Sequence, residues 1–181
     1  NALIKGDDAA LVIEPLNGYR TKEKYPENLG EFTEPLGVPE ITNEGTDLTM
    51  VSYGSTFNIC TKAIEELKEL NVSVELIDIQ TFIPFDINHK ITESLKKTNR
   101  LMIVDEDVSS GGSAYILDKI ITDQKGYQYL DSNPVTLSAK DHRPAYGSDG
   151  DYFSKPSKED IVENAYAIMH EADPANYPSI Y

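Results

Sequence analysis

One segment in the last quarter of the chain combines the side chains best suited to chemistry or to recognition. Residues 141–153 (DHRPAYGSDGDYF) bring together an imidazole, a guanidinium and aromatic rings in a glycine-containing loop. His142 titrates near neutral pH and can act as an acid or a base, and Arg143 offers a planar set of N–H donors. The sequence offers His142 no partner for a catalytic pair, so we expect an interface or ligand-facing role for both residues.

A second segment, residues 104–112 (VDEDVSSGG), places three acids four residues or more before two glycines that open a predicted helix. Gly111 and Gly112 could expose backbone N–H groups to an anion, but the three preceding acids would repel a phosphate. Neither the GxGxxG nor the P-loop pattern is present. We expect the glycines to permit close packing or a tight turn, and Glu106, Gly111 and Gly112 to lie in an interface or ligand-facing loop.

Two aspartates flank a third segment, residues 78–86 (DIQTFIPFD). Asp78 follows a predicted strand and either binds a ligand or orders the loop. Asp86 precedes a helical pattern and is predicted to cap that helix, since Asp is a preferred N-cap residue.

No other group of residues suggests catalysis. His89 and His170 lie on predicted helices without metal-ligand spacing, and the GxSxG pattern of a nucleophile elbow is absent. Cys60 is the single cysteine and lies within an apolar stripe, so we expect it in the core. Because a single cysteine has no second cysteine to pair with, an intrachain disulfide is excluded. This favours a reducing, cytoplasmic setting. We predict no catalytic, metal-binding or cofactor-binding residue in this chain.

The elements that position these residues alternate along the chain. Apolar runs predict strands, and apolar residues at helical spacing predict helices between them. Ser157 and Asp160 have the spacing of a capping box at the start of the last helix. This alternation predicts a three-layer α/β/α fold with a mostly parallel sheet. The predicted strands are residues 10–14, 48–53, 72–77, 101–104 and 135–139.

The inward faces of the predicted helices follow from the same spacing. They are formed by residues 60, 63, 64 and 67; 87, 91 and 95; 114, 117, 120 and 121; and 161, 165, 168 and 169. Between the first two strands, residues 17–46 are rich in proline, glycine and acids, which predicts an extended connector and a domain boundary. The start at Asn1, close to the first apolar run, indicates a piece of a longer protein.

The charge limits the possible partners. The 181 residues carry a formal net charge of -15, with a sequence pI near 4.5. Such acidity argues against nucleic acid and anionic membranes as partners, and it favours a basic protein partner. We expect no transmembrane helix, because no run of about 18 apolar residues occurs, and no signal peptide is visible.

Five segments, in this order, resemble one protein family. The chain resembles the C-terminal end of the β subunit, or of the fused β half, of the thiamine-dependent decarboxylase component of 2-oxoacid dehydrogenases. In the second segment Asp78, Thr81, Pro84 and Asp86 match the family motif. Gln80 stands where the family has Arg, and Asp105 where a His is common. The segments are LTMVSYGSTFNICTKAIEEL, VELIDIQTFIPFD, RLMIVDEDVSSGGSAYI, YLDSNPVTLSAKD and SKEDIVENAYAIM.

The resemblance implies a division of labour. It implies that residues 1–37 are the exit of a preceding pyrimidine-binding domain with its connector, and that residues 38–181 are a transketolase C-terminal-like domain. In that family, thiamine diphosphate and magnesium sit in the full-length enzyme, between domains upstream of Asn1. This domain would then build dimer contacts, adjoin the thiamine-binding domains and dock the lipoyl acyltransferase through its subunit-binding domain. Asp131 matches a docking aspartate by position.

Two alternatives to this assignment stay open at the level of sequence. The first is the equivalent domain of a transketolase or a deoxyxylulose phosphate synthase, which has no acyltransferase partner. The second is an independent flavodoxin-like module that binds a nucleotide or another anion. For Asp131 itself, the alternative to a docking role is an ordinary turn residue at the start of a strand.

Overall fold

The computed structural model describes residues 1–22, 24–147 and 149–179, apart from the side chain of Asn17. Five strands and six helices alternate over most of this range. Two short 3-10 turns, Leu16–Arg20 and Gly126–Tyr129, and a π-helical turn, Lys119–Asp123, complete the elements. The strands are β1 Glu40–Asn43, β2 Leu48–Ser52, β3 Val74–Asp78, β4 Leu101–Val108 and β5 Val135–Ala139. The helices are α1 Ala2–Lys5, α2 Gly54–Glu69, α3 Lys90–Thr98, α4 Gly112–Asp118, α5 Gly150–Ser154 and α6 Lys158–Ala172.

The five strands form one sheet in the order β1-β3-β2-β4-β5. The pairs β2–β3, β2–β4 and β4–β5 are parallel, and β1 is antiparallel to β3 at one edge. The prediction of a mostly parallel sheet is therefore confirmed. Because all four parallel strands begin at one edge of the sheet and end at the other, the loops that follow them gather at the same edge.

Helices cover both faces of the sheet, as the three-layer prediction requires. Successive strand residues point to opposite faces: Met50 packs with α2 and α6, whereas Val51 packs with α3 and α4. Cys60 lies fully buried in the first of these layers, which confirms its predicted place in the core. The capping box at α6 is also confirmed, since Ser157 and Asp160 exchange side-chain and backbone hydrogen bonds.

The strand predicted at residues 10–14 is wrong. This segment has no regular structure, and Leu11 and Ile13 are 87% and 84% exposed. Its apolar composition suits a buried strand, but a strand forms only where a neighbour completes its hydrogen bonds, and no described strand lies beside it. The connector predicted over residues 17–46 is wrong in part, because β1 forms within it.

Two helix predictions also need correction. The helix expected after Asp86 begins at Lys90, and Ile87, predicted to face the core, is 55% exposed. In α4 the buried residues are Ser113 and Ile116 rather than the predicted Ala114, which is exposed. The inward face starts one position earlier than predicted, because Ser113 is drawn inward by a hydrogen bond from its backbone N–H to the buried Asp105.

The central layer gives a direct test of the fold. Ile103 on β4 is fully buried, whereas Ile83 in the loop after β3 is 82% exposed. Ile103→Ala should lower the free energy of unfolding by about 2–5 kcal/mol through lost burial and a cavity. Urea unfolding monitored by circular dichroism measures this change. Ile83→Ala, the matched control, should change it by less than about 0.5 kcal/mol; equal effects would contradict the described core.

Candidate functional site

The predicted site residues lie at opposite edges of the sheet. Glu106, Gly112 and His142 lie at or beyond the carboxyl ends of β4 and β5, whereas Asp131 precedes β5. A five-residue strand at about 3.3 Å per residue separates the two edges by roughly 17 Å. We call these the carboxyl edge and the amino edge. The structure therefore supports two separate surfaces rather than one combined site.

A buried carboxylate organises the carboxyl edge. Asp105 on β4 is fully buried. One of its oxygens accepts hydrogen bonds from the Tyr53 hydroxyl at 2.5 Å and from the Asp107 backbone N–H at 2.9 Å. The other accepts the Ser113 backbone N–H at 2.8 Å. These three bonds replace the water that burial removes, and they join the end of β2 to the start of α4.

Tyr53 fills the space between the ends of β2 and β4. Its ring meets Phe82 edge-on at 4.8 Å. Burial raises the pKa of the Tyr53 hydroxyl well above its usual range, and the hydrogen bond to Asp105 adds to this effect. A Cβ on Gly112 would lie only 2.6 Å from the Tyr53 hydroxyl. Gly112 is therefore required for close packing, as the sequence predicted, and not for a phosphate.

This packing bears on the flavodoxin-like alternative. In that class, ligands bind in the crevice where neighbouring strands send their connections to opposite faces. Here that crevice lies between β2 and β4, and Tyr53 and Phe82 occupy it. The Asp105 and Asp107 carboxylates add negative charge at the same point. The geometry thus disfavours a nucleotide phosphate there.

The remaining carboxyl-edge residues lie on the outer rim. Glu106 forms an ion pair with Lys155 at 3.0 Å, which links β4 to the segment before α6. The Gly111 backbone N–H bonds the Val108 carbonyl in a tight turn. His142 is exposed, and its Nδ1 lies 3.0 Å from the Arg143 carbonyl. The interface or ligand-facing role of Glu106, Gly111, Gly112, His142 and Arg143 stays a prediction.

The loop after β3 is held by its two aspartates. Asp78 accepts the Gln80 backbone N–H at 3.2 Å, so it orders the loop. Burial raises the pKa of the Asp78 carboxyl, the Gln80 bond partly offsets this, and the negative charge of Glu40 raises it further. Asp86 accepts the backbone N–H groups of Lys90 and Ile91 at 2.8 and 3.0 Å. The Asp86 side chain thus caps the first N–H groups of α3, but the N-cap position belongs to His89, three residues later than predicted.

The amino edge holds Asp131 and a residue that sequence reasoning missed. Arg100, 31 positions earlier, donates from Nη2 to the Asp131 carboxylate at 2.8 Å. Its Nη1 donates to the Asp47 carbonyl at 3.2 Å. The Asp131 side chain is 44% exposed and that of Arg100 is 18% exposed. No local pattern links these residues, although Arg100 directly precedes one predicted strand and Asp131 lies four positions before the next, which could have suggested that they meet.

The chain that follows α6 folds back toward the same edge. The Tyr177 hydroxyl donates to the Asn71 carbonyl at 3.2 Å. Burial raises the pKa of this hydroxyl, with further contributions from the negative charges of Asp47 and Asp173. Hydrogen bonds from Asn176 hold the pKa of Asp173 below its usual range, and the positive charge of Arg100 adds to this. Arg100 therefore lies among several carboxylates.

Two kinds of feature are absent from residues 1–22, 24–147 and 149–179: a metal-ion site and a membrane-spanning helix. No group of three or more His, Cys, Asp or Glu side chains there is arranged to hold a metal ion. Within the described part of the chain, no helix combines the length and the apolar character needed to cross a bilayer. Burial raises the pKa of the Cys60 thiol to about 12, which makes a nucleophilic thiolate unavailable at neutral pH.

Comparison with known proteins decides the family. The profile described as "Transketolase, C-terminal domain" matches residues 37–161, well over half of the chain. The chain belongs to this family. The match contains β1 to β5 and reaches the start of α6. The match confirms the family expected from the five motifs. It therefore favours this family over the independent flavodoxin-like module.

Two similar curated proteins are β subunits of different enzymes. The "pyruvate dehydrogenase E1 component subunit beta" of Acholeplasma laidlawii is 32% identical over 159 residues, covering 87% of this chain and 47% of that protein. The "acetoin:2,6-dichlorophenolindophenol oxidoreductase subunit beta" of Bacillus subtilis is 31% identical over 173 residues, covering 94% of this chain and 48% of that protein. The chain thus spans about half the length of these relatives.

A solved structure supports the fold. A "split gene transketolase, inactive beta4 tetramer" superposes with a TM-score of 0.61 over 78% of this chain and 45% of that chain. At 18% sequence identity the likeness shows the shared fold alone. It agrees with the parallel sheet and the covering helices described above.

The contact between Gly112 and Tyr53 is testable. Gly112→Ala should lower the free energy of unfolding by about 1–3 kcal/mol through overpacking. Tyr53→Phe should lower it by about 1–2 kcal/mol, because Asp105 loses a donor. The double variant should lose less than the sum, since the clashing hydroxyl is gone. Denaturant unfolding measures all three, and Gly18→Ala, whose new Cβ meets nothing closer than 4.0 Å, is the neutral control. Additive losses would contradict the described contact.

Asp78 gives a prediction about pH. Because burial raises its pKa in the folded state, its contribution to stability is complete below the unfolded value of about 3.9 and falls as pH rises through the folded value. Asp78→Asn removes the charge but keeps an acceptor for Gln80. The variant should melt at a higher temperature than the original chain at pH 7, and this gain should vanish near pH 3. Asp8→Asn, at an exposed position, is the control; a lower melting temperature for Asp78→Asn at pH 7 would show the explanation to be wrong.

Proposed function

We propose that this chain is the C-terminal domain of the β part of a thiamine-diphosphate-dependent 2-oxoacid dehydrogenase. The full-length protein would decarboxylate a 2-oxoacid and pass the acyl group to a lipoyl arm. This domain would serve assembly and partner docking rather than catalysis. The family and the pyruvate dehydrogenase relatives support the assignment, and the acetoin relative leaves the substrate open.

The observation that carries the docking proposal is the Arg100–Asp131 pair at the amino edge. Arg100 fixes the Asp131 carboxylate in one orientation while 44% of that side chain stays exposed. The carboxylates of Asp47 and Asp173 lie near Arg100, in a chain of net charge -15. Excess negative charge around an oriented carboxylate suits a basic partner, because complementary charge steers association and fixes register. The acyltransferase subunit-binding domain is the partner that the family resemblance implies.

Thiamine diphosphate and magnesium do not fit the described residues. The Asp105 carboxylate is already occupied by three hydrogen bonds, and no described acidic group forms a metal-ligand set. Acids rather than cations precede Gly111 and Gly112, which is unfavourable for a diphosphate. We therefore place the cofactor in preceding domains and assign no chemical step to this chain.

Residues 1–37 support the placement of a domain upstream. Leu11 and Ile13 lie exposed in a segment whose composition suits a buried strand. We propose that residues 10–14 complete a sheet of the preceding pyrimidine-binding domain, and that residues 17–37 lead out of it. Gly37 then enters this domain, where its carbonyl accepts the Ile87 backbone N–H at 2.8 Å.

Docking at Asp131 can be measured directly. Asp131→Ala should weaken binding of an acyltransferase subunit-binding domain at least about tenfold, which corresponds to ~1.4 kcal/mol. Raising the salt concentration to ~0.5 M should weaken binding by the original chain as well, because screening shortens the reach of the charges. Titration calorimetry with the purified subunit-binding domain gives both values.

Asp123→Ala is the matched control for this experiment. Asp123 is 51% exposed and pairs with Lys119 at 2.6 Å, much as Asp131 pairs with Arg100. If the two variants bind equally, Asp131 is an ordinary turn residue. If the original chain does not bind the subunit-binding domain at all, the equivalent domain of a transketolase or deoxyxylulose phosphate synthase becomes the better assignment.

A further inference from the structure

A cavity of about 360 Å³ lies between the loop that follows β3 and the π-helical turn that follows α4. Small-molecule sites in proteins have volumes of roughly 300–1,000 Å³, so this cavity has room for a small ligand. Its described lining includes neither Asp105 nor Asp131. It is therefore distinct from the filled crevice and from the docking surface described above.

Hydrogen bonds hold the two walls of the cavity together. The Tyr115 hydroxyl on α4 donates to the Phe82 carbonyl at 3.0 Å. The Gln124 side-chain nitrogen, directly after the π-helical turn, donates to the backbone carbonyl and to the carboxylate of Asp86, both at 3.2 Å. The cavity therefore has its shape before a ligand arrives, which lowers the entropy cost of binding.

One side of the cavity is apolar. Ile83 and Ile87 line it and are 82% and 55% exposed, although both are large aliphatic residues. Phe85 and Tyr115 also line it and meet edge-on, with their ring centres 6.0 Å apart. A ligand with an aliphatic group would remove these side chains from water, which favours binding.

Two opposite charges line the other side. The Lys119 ammonium and the Asp123 carboxylate lie 2.6 Å apart, and their side chains are 34% and 51% exposed. The Lys119 ammonium is also 5.6 Å from the centre of the Tyr115 ring. An exposed ion pair contributes little to stability, so a ligand can engage either charge at low cost.

The other polar side chains of the cavity differ in what they can offer. The Asp86 carboxylate already accepts the backbone N–H groups of Lys90 and Ile91. The His89 imidazole, in contrast, has no hydrogen-bond partner among the described residues. His89 has left-handed backbone geometry at φ 54°, which is uncommon for residues other than glycine and often marks a functional position. His89 is therefore free to bind a ligand.

The paired charges define the class of ligand. A simple carboxylate would be attracted by Lys119 but repelled by Asp123, and a simple amine would meet the opposite combination. A phosphate carries more negative charge and would be repelled further by a chain of net charge -15. A zwitterion complements both charges at once, because its carboxylate faces Lys119 while its ammonium faces Asp123.

We propose that this cavity binds a free amino acid with an aliphatic side chain. The ligand carboxylate accepts hydrogen bonds from Lys119 and His89, and its ammonium donates to Asp123. Its aliphatic side chain packs against Ile83 and Ile87. The inference does not depend on the docking role proposed for Asp131.

L-Leucine is the probe for this site, added to the 181-residue chain at pH 7. A titration followed by amide NMR should give a dissociation constant of about 1 mM or lower. The shifted signals should belong to the loop that follows β3 and to the π-helical turn. Absence of shifts at about 10 mM leucine would overturn the proposal.

Three analogues separate the parts of the ligand. 4-Methylpentanoate lacks the ammonium, 3-methylbutylamine lacks the carboxylate, and glycine lacks the aliphatic group. Each should bind at least about tenfold more weakly than leucine, because each leaves one side of the cavity unmatched. If 4-methylpentanoate or 3-methylbutylamine binds as tightly as leucine, the cavity does not recognise a zwitterion and the proposal fails.

Lys119→Met removes the ammonium and keeps an unbranched side chain. It should raise the dissociation constant for leucine at least about tenfold, because the ligand carboxylate loses its cation. Lys96→Met is the matched control and should leave binding unchanged. Lys96 pairs with Glu93 and lies 5.6 Å from the centre of the Tyr129 ring, outside the cavity. Equal weakening by the two variants would contradict the site.

The apolar wall is tested by Ile83→Ala with Ile87→Ala. Both residues are exposed, so the variant should keep the circular dichroism spectrum of the original chain. It should bind leucine at least about fivefold more weakly, through lost apolar contact. Leu11→Ala with Ile13→Ala, at exposed positions outside the cavity, is the matched control. Unchanged leucine binding by the Ile83→Ala, Ile87→Ala variant would overturn the proposed placement of the ligand.

Discussion

The hydrogen bonds to the buried Asp105 carboxylate are the interaction on which the carboxyl edge depends. A carboxylate removed from water must find donors inside the protein. Asp105 finds them in the Tyr53 hydroxyl and in backbone N–H groups that include that of Ser113. These bonds fix where α4 begins and hold the Tyr53 ring between β2 and β4.

Tyr53 and Phe82 close the crevice between the ends of β2 and β4. The place where open α/β sheets usually bind ligands is occupied by side chains of the protein itself. Among the described residues, exposed surfaces lie on the outer rim of the carboxyl edge and, at the other end of the strands, around Arg100 and Asp131. Both are exposed surfaces suited to macromolecules rather than enclosed cavities suited to small substrates. The arrangement agrees with a domain that assembles and docks.

The parallel sheet keeps these two surfaces apart. The strands hold the residues that precede them and those that follow them at a fixed separation, so a partner bound at one edge does not cover the other. The charged groups at the two edges of the sheet differ as well. At the amino edge Arg100 lies near the carboxylates of Asp131 and Asp173, whereas at the carboxyl edge Glu106 is paired with Lys155.

The sequence alone determined the elements whose stability is local or patterned. Val135–Ala139 has its predicted bounds, Cys60 lies in the core, and the capping box of α6 forms as predicted. Apolar periodicity and capping act over a few residues, so they can be read from the sequence. The five ordered motifs also predicted the family that the comparison confirmed.

Tertiary structure decided everything that depends on a distant neighbour. Residues 10–14 have strand composition but no described strand to pair with, whereas β1 forms inside a proline-rich connector because β3 offers its edge. Arg100 and Asp131 meet only because β4 and β5 are parallel and adjacent. Asp105 resembles the two surface acids that follow it in the sequence. It is buried because the ends of β2, β4 and α4 converge there and supply its hydrogen bonds.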